Sequence, residues 1–63
     1  MNIKEMVEKL AVKIKISICK NDEEIVGLYS DNYTILNQDI LNKEVDYWYV
    51  ENGHKLIINY KED

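Results

Sequence analysis

Three small sets of side chains in this chain have the types and spacing that chemistry requires. His54, the only histidine, faces Glu51 across Asn52-Gly53, an arrangement that could serve an acid–base pair. Glu44 and Asp46 stand two apart, so on one strand they share a face at about 7 Å, within the range of paired glycosidase carboxylates. Cys19 is the only cysteine and has Lys20 beside it, a cationic neighbour of the kind reactive thiols use.

Each set lacks a component. His54 falls on an exposed turn with no dry pocket for proton transfer. Glu44 and Asp46 have no cleft or sugar platform with them, and nothing near Cys19 in sequence supplies a base. The plainer readings are a solvated turn pair, a solvated strand face and a small strand residue. Asp22-Glu23-Glu24 and Glu62-Asp63 read as solvated faces too, or as contacts for a basic partner. With Gly27 and Gly53 the only glycines, no loop can cradle a phosphate, and one cysteine with one histidine cannot make a four-ligand zinc site. The chain is therefore expected to be no enzyme and to hold no cofactor or metal. So small a chain also leaves little room for a pocket of about 300 Å³ beside its core.

The elements that position these groups follow from periodicity. Asn2 and Glu5 form a capping box, and Ile3, Met6, Val7 and Leu10 make an apolar stripe, predicting a helix from Ile3 to Leu10. From Val12 the period becomes two. Val12, Ile14, Ile16 and Ile18 alternate with Lys13, Lys15, Ser17 and Cys19, as in a strand with one wet face. A two-residue turn at Asn21-Asp22 would pair Ile18 with Ile25, Ile16 with Gly27 and Ile14 with Tyr29, leaving Val26 and Leu28 on the outer face. Asp31 to Lys43 reads as a crossover with one helical turn over Gln38 to Asn42, capped by Asn37, whose Ile35, Leu36, Ile40 and Leu41 plug one end of the core.

Val45 to Tyr60 is a hairpin closed by Asn52-Gly53, since both central residues of a type I′ turn need positive φ. A two-residue loop pairs Tyr49 with Leu56, Trp48 with Ile57, Tyr47 with Ile58 and Asp46 with Asn59. Tyr47 and Tyr49 then enter the core, while Trp48, Val50 and Ile57 face outward beside Glu44 and Asp46. The expected architecture is one α+β domain over residues 1–63: a short N-terminal helix on a four-stranded antiparallel sheet of two hairpins, in the order α-β-β-short helix-β-β.

Composition bounds the partners. A chain of 63 residues buries only about 60% of its unfolded surface. The formal charge is −4 and arginine is absent, which disfavours direct nucleic-acid binding and suits a basic protein partner. No segment has the roughly 18 to 20 apolar residues of a membrane span, and the first residues alternate charge with apolar side chains rather than forming a signal peptide. A reducing, cytoplasmic setting is expected. The surface left for function is the outer sheet face: Trp48, Val50 and Ile57 with Val26 and Leu28, rimmed by Glu44 and Asp46. An apolar centre with a charged rim, anchored by tryptophan, has the anatomy of a protein interface.

The opening Met1-Asn2-Ile3-Lys4-Glu5-Met6-Val7-Glu8-Lys9, the alternation from Lys13 to Cys19, the segment Ile40 to Val45 and the run Leu56 to Tyr60 resemble small proteins from phages and prophages of low-GC Gram-positive bacteria. The chain departs from that pattern at Tyr47-Trp48-Tyr49, where small and polar residues are commoner. The resemblance implies a mobile-element setting and carries over no site residues. In that setting, the small acidic fold, the absence of catalytic groups and the aromatic patch ringed by charge give the leading expectation: a non-enzymatic phage or prophage protein that binds and inhibits a host protein, such as a CRISPR nuclease, in an anti-CRISPR-like manner. Two other classes remain open. One is a nucleotide-binding sponge in which Tyr and Trp stack on bases and Lys13, Lys15 and Lys55 meet phosphate; the other is a self-association module that pairs a face or sheet edge with a second copy, as a homodimer.

Overall fold

The computed structural model describes residues 1–62. Their order is α1 (Ile3–Glu8), β1 (Lys15–Lys20), β2 (Glu23–Tyr29), a 3-10 helix (Ser30–Ile35), α2 (Gln38–Leu41), β3 (Tyr47–Glu51) and β4 (Lys55–Tyr60). Local sequence accounts for both α-helices. Asn2 Oδ1 accepts from the Glu5 amide at 2.8 Å, and Glu5 Oε1 accepts from the Asn2 amide at 3.0 Å, closing the capping box. The helix stops at Glu8, two residues before the expected Leu10, and buries Ile3 and Val7 while Met6 and Leu10 pack at the core margin. Asn37 Oδ1 accepts from the Ile40 amide at 2.9 Å and starts α2. Leu36 and Leu41 join the core and Ile40 packs against it, but Ile35 projects into solvent.

The strands form one sheet in the order β2-β1-β4-β3. It is mixed, not purely antiparallel as the sequence suggested: β1 and β4 run parallel through the centre, Ile16 beside Leu56 and Ile18 beside Ile58. The crossover is the reason. Parallel neighbours need a connection that returns the chain to its starting end, and residues 30–46 carry it from one edge strand back to the start of the other. Ser30 anchors the departure, because its hydroxyl accepts from the Ile14 amide at 3.0 Å while its own amide donates to the Ile14 carbonyl at 2.8 Å.

Both hairpins turn where expected. Asn21 and Asp22 (φ 50° and 71°) and Asn52 and Gly53 (φ 55° and 72°) all adopt the left-handed conformation of type I′ turns. Both registers nevertheless slip by one residue. In the first hairpin Cys19 faces Glu24 but Ile18 faces Val26, so a bulge leaves Ile25 without an opposite. In the second Glu51 faces Lys55, so His54 is an extra residue after the turn. A slip of one sends every side chain to the other face. The bulge brings Leu28 into the core, where Gly27 would have filled nothing. The extra histidine places Trp48 beside Ile58 and Val50 beside Leu56, on the helix-covered side, and moves Tyr47 and Tyr49 to the open side, where the Tyr47 hydroxyl reaches Asp22.

The core lies between the sheet and the helices. Ile3, Val7 and Leu41 meet Ile16, Ile18, Leu28, Leu56, Ile58 and Tyr60 there. The open face has no helix over it, yet Ser17, Cys19, Ile57 and Asn59 at its centre are buried. Taller neighbours close over them.

Candidate functional site

Those neighbours form a polar network. The Tyr47 hydroxyl donates to Asp22, reaching from β3 over the end of β4 to the first turn. Asn59, 0% exposed, accepts from the Asp22 amide at 2.8 Å and turns its own amide toward Asp46 at 3.5 Å. Farther along, the Ser17 hydroxyl donates to Glu24, whose carboxylate also meets Lys55 at 3.8 Å. Ser17 has one hydrogen and gives it to Glu24, so the Cys19 thiol must be the donor in their 3.8 Å contact. The Ser17 bond, then the Lys55 charge, hold the Glu24 carboxyl below its ordinary range. Donating to Asp22 holds the Tyr47 phenol protonated, with its pKa pushed up to about 12. These contacts tie the two hairpins together across the open face.

The catalytic candidates do not come together. His54 Nδ1 lies 2.7 Å from the Asn52 carbonyl, in the same turn, and Glu51 pairs in register with Lys55. Glu44 meets the Met1 amino group at 3.1 Å, whereas Asp46 faces Asn59 and Lys61. Cys19 sits on the open face as expected but is 8% exposed. Among the described residues no three of His, Cys, Asp and Glu converge as metal ligands, and no helix is long and apolar enough to cross a membrane.

The site of interest is the edge strand β3. All five of its residues are exposed, and four of them, Tyr47, Trp48, Tyr49 and Val50, are large and apolar or aromatic. Trp48, 56% exposed, stands between two shallow grooves. One, of about 350 Å³, runs from Trp48 and Val50 to Met1, Met6, Leu10 and Ile14 and is apolar apart from Lys9. The second, of about 370 Å³, is shared with Met1, Met6, Val45, Asp46 and Tyr47. A third hollow of about 500 Å³ lies elsewhere, between the end of α1 and the 3-10 helix, with a lining that is half polar and half apolar. All three are open surface features, so the chain has more concave volume than its size suggested, though none is enclosed. Glu44 and Asp46 precede β3 and Glu51 ends it, giving the strand an acidic flank at each end. Across the open face the rings of Tyr47 and Tyr49 stack at 6.2 Å.

The expected five-residue patch is not one surface. Trp48 and Val50 are exposed together as anticipated, but on the helix side of the sheet. Ile57 points to the opposite face and is buried, and Val26 and Leu28 lie on the helix side at the far edge, with two strands between, half-buried and buried. The crossover shares the side of Trp48 without covering it. Sequence reasoning missed Met1, Met6, Tyr47 and Tyr49 as surface residues. The signal for the tyrosines was the His54 insertion, which alternation cannot reveal when both faces of a strand are apolar. Of the phosphate-binding lysines considered, Lys13 lies 5.0 Å over the Tyr29 ring and pairs with Asp31 at 3.8 Å, and Lys55 is engaged by Glu24; the lysines do not gather around Trp48. Comparison with protein-family models, with curated proteins and with solved structures returns no significant match.

Proposed function

We propose that this chain is a non-catalytic binding protein that occludes a protein partner through the β3 edge, with Trp48 as its anchor. The partner proposed is a host protein with a basic, nucleic-acid-binding surface, a defence effector such as a CRISPR nuclease being the class that fits the phage-like sequence pattern. One observation carries the reading: an unbroken exposed run, Tyr47-Trp48-Tyr49-Val50, sits beside apolar grooves and between acidic ends. Apolar surface of this kind, rimmed by charge, marks interaction sites, and tryptophan is enriched among residues that dominate binding energy. Glu44, Asp46 and Glu51 would face a cationic groove and speed encounter, which is where rim charges act.

The test is affinity capture from host lysate with the wild-type chain, Trp48→Ala and Glu44→Lys as baits. The reading expects one identified basic protein whose retention falls about thirtyfold on Trp48→Ala, the scale of a 2 kcal/mol hot spot. Adding the chain should also displace nucleic acid from that protein. An unchanged set of captured proteins for both variants would falsify the site.

A further inference from the structure

We infer that β3 is a self-pairing edge: a second copy of the chain adds its own β3 antiparallel, about a two-fold axis through Tyr49, to make one continuous eight-stranded sheet. The inference concerns the same edge that the host-partner proposal uses, so a second copy and a host partner would compete for it.

The two edges of the sheet differ in protection. β2 carries a bulge at its Glu24-Ile25 end and opens with two glutamates, the devices that keep an edge from templating another strand. β3 has neither bulge, lysine nor proline between Tyr47 and Glu51, and all of it is exposed. The N-terminal segment covers the chain just ahead of it, through Ile3 N to Lys43 O and Val45 N to Met1 O, both at 3.0 Å, and stops there. The outward N–H and C=O groups of β3 are thus free to pair.

The sequence of β3 complements itself in one register. A two-fold axis perpendicular to the sheet keeps the helices of both copies on one side, and then directly opposed residues must share a face, so the axis passes through a residue. Through Tyr49, each Trp48 meets the other copy's Val50, each Tyr47 meets Glu51, and each Asp46 meets Asn52. Apolar side chains oppose each other on the helix side and no like charges are apposed. Moving the axis to Trp48 sets Val50 against Asp46 and Val45 against Glu51, which removes that match. In the Tyr49 register the apolar grooves of the two copies adjoin under paired Trp48 and Val50 side chains. On the open face the two Tyr47–Tyr49 stacks join into one row of four rings.

A five-residue contact is smaller than a standard interface, so association should be weak and reversible. Sedimentation equilibrium from about 10 µM to about 1 mM, the range suited to interfaces of this modest size, should show the mass rising from 7.5 kDa toward twice that value. Tyr49→Lys, which places two ammonium groups at the axis, should return the chain to monomer with an unchanged far-ultraviolet circular dichroism spectrum. Ile25→Lys, on the other edge, should leave the dimer intact. Tyr49→Cys should form a cross-linked dimer on mild oxidation, whereas Glu51→Cys, about 13 Å from its own mate in this register, should not. A monomer at every concentration overturns the inference, as does a dimer indifferent to Tyr49→Lys. Cross-linking through Glu51→Cys in preference to Tyr49→Cys overturns the register. Lysate capture at bait concentrations below about 10 µM, beneath the range of this weak pairing, reads the host-partner proposal separately.

Discussion

Tyr47 does two jobs from one position. Its ring stacks on Tyr49 while its hydroxyl binds Asp22, fastening the second hairpin to the turn of the first. The bond requires the phenol to keep its proton, which is why ionisation is displaced to about 12. A pKa raised in the folded state means stability that is whole below the unfolded phenol value near 10 and is lost as pH rises toward about 12, because there the unfolded chain sheds a proton the native chain retains. Ultraviolet titration should therefore show two of the five tyrosines ionising above the ordinary phenol range, Tyr33, whose hydroxyl donates to Glu8, and Tyr47, the last to titrate. Tyr47→Phe should remove the last step and flatten the alkaline loss of stability; a step at about 12 that survives the substitution would assign it to another phenol. Glu24 has the opposite sign. Its lowered carboxyl adds stability that is present above the ordinary value of 4.5 and fades as pH falls.

At the scale of elements, what was legible was local. Asn2 with Glu5, Asn37, and the two turns announce themselves within four residues, because caps and positive-φ turns depend on side chains and backbone close at hand. The strands β1 and β4 were assigned to the correct faces from alternation that continues through Ile16, Ile18, Leu56 and Ile58. The strand β3 is legible but its facing is not, since Tyr47, Trp48, Tyr49 and Val50 would each satisfy an apolar site and the pattern cannot choose between them. β2 failed for a related reason: adjacent Ile25 and Val26 offer two registers, and only packing selects the bulge that buries Leu28. The candidate site inherits both errors, which is why the alternation sets Trp48 beside Ile57 on the open face and Leu28 on an exposed surface, whereas Trp48 lies on the helix side and Leu28 is in the core. His54 makes this testable. Deleting it leaves a two-residue loop, which either strains β3 or turns Tyr47 and Tyr49 toward the helices and breaks the bond to Asp22. Urea unfolding should show a loss of about 2 kcal/mol or more, on the scale of a broken core or buried network. A stability equal to wild type would mean that β3 tolerates either face.

At the scale of the whole molecule, a single thin core supports everything. Ile58 lies in the middle of it, 0% exposed, in contact with both neighbours of the central strand. Truncation to alanine at such a site costs about 2–5 kcal/mol, comparable to the whole stability of many domains this small. Ile58→Ala should therefore be largely unfolded at 25 °C by circular dichroism, while Trp48→Ala, at a half-exposed position, should stay folded. That contrast separates residues that maintain the fold from residues that use it, and it makes loss of partner capture by Trp48→Ala interpretable.

The parallel pairing of β1 with β4 also sets a timetable. Each hairpin can close early through neighbours in sequence, but Lys15 must wait for Lys55 before the centre of the sheet exists. Closing so long a loop is entropically costly and is repaid only once the central ladder and the helices above it are in place. Folding should be limited by the docking of two half-made hairpins, each with one bare apolar face while it waits, and the encounter of the inner strands is the event that commits the chain.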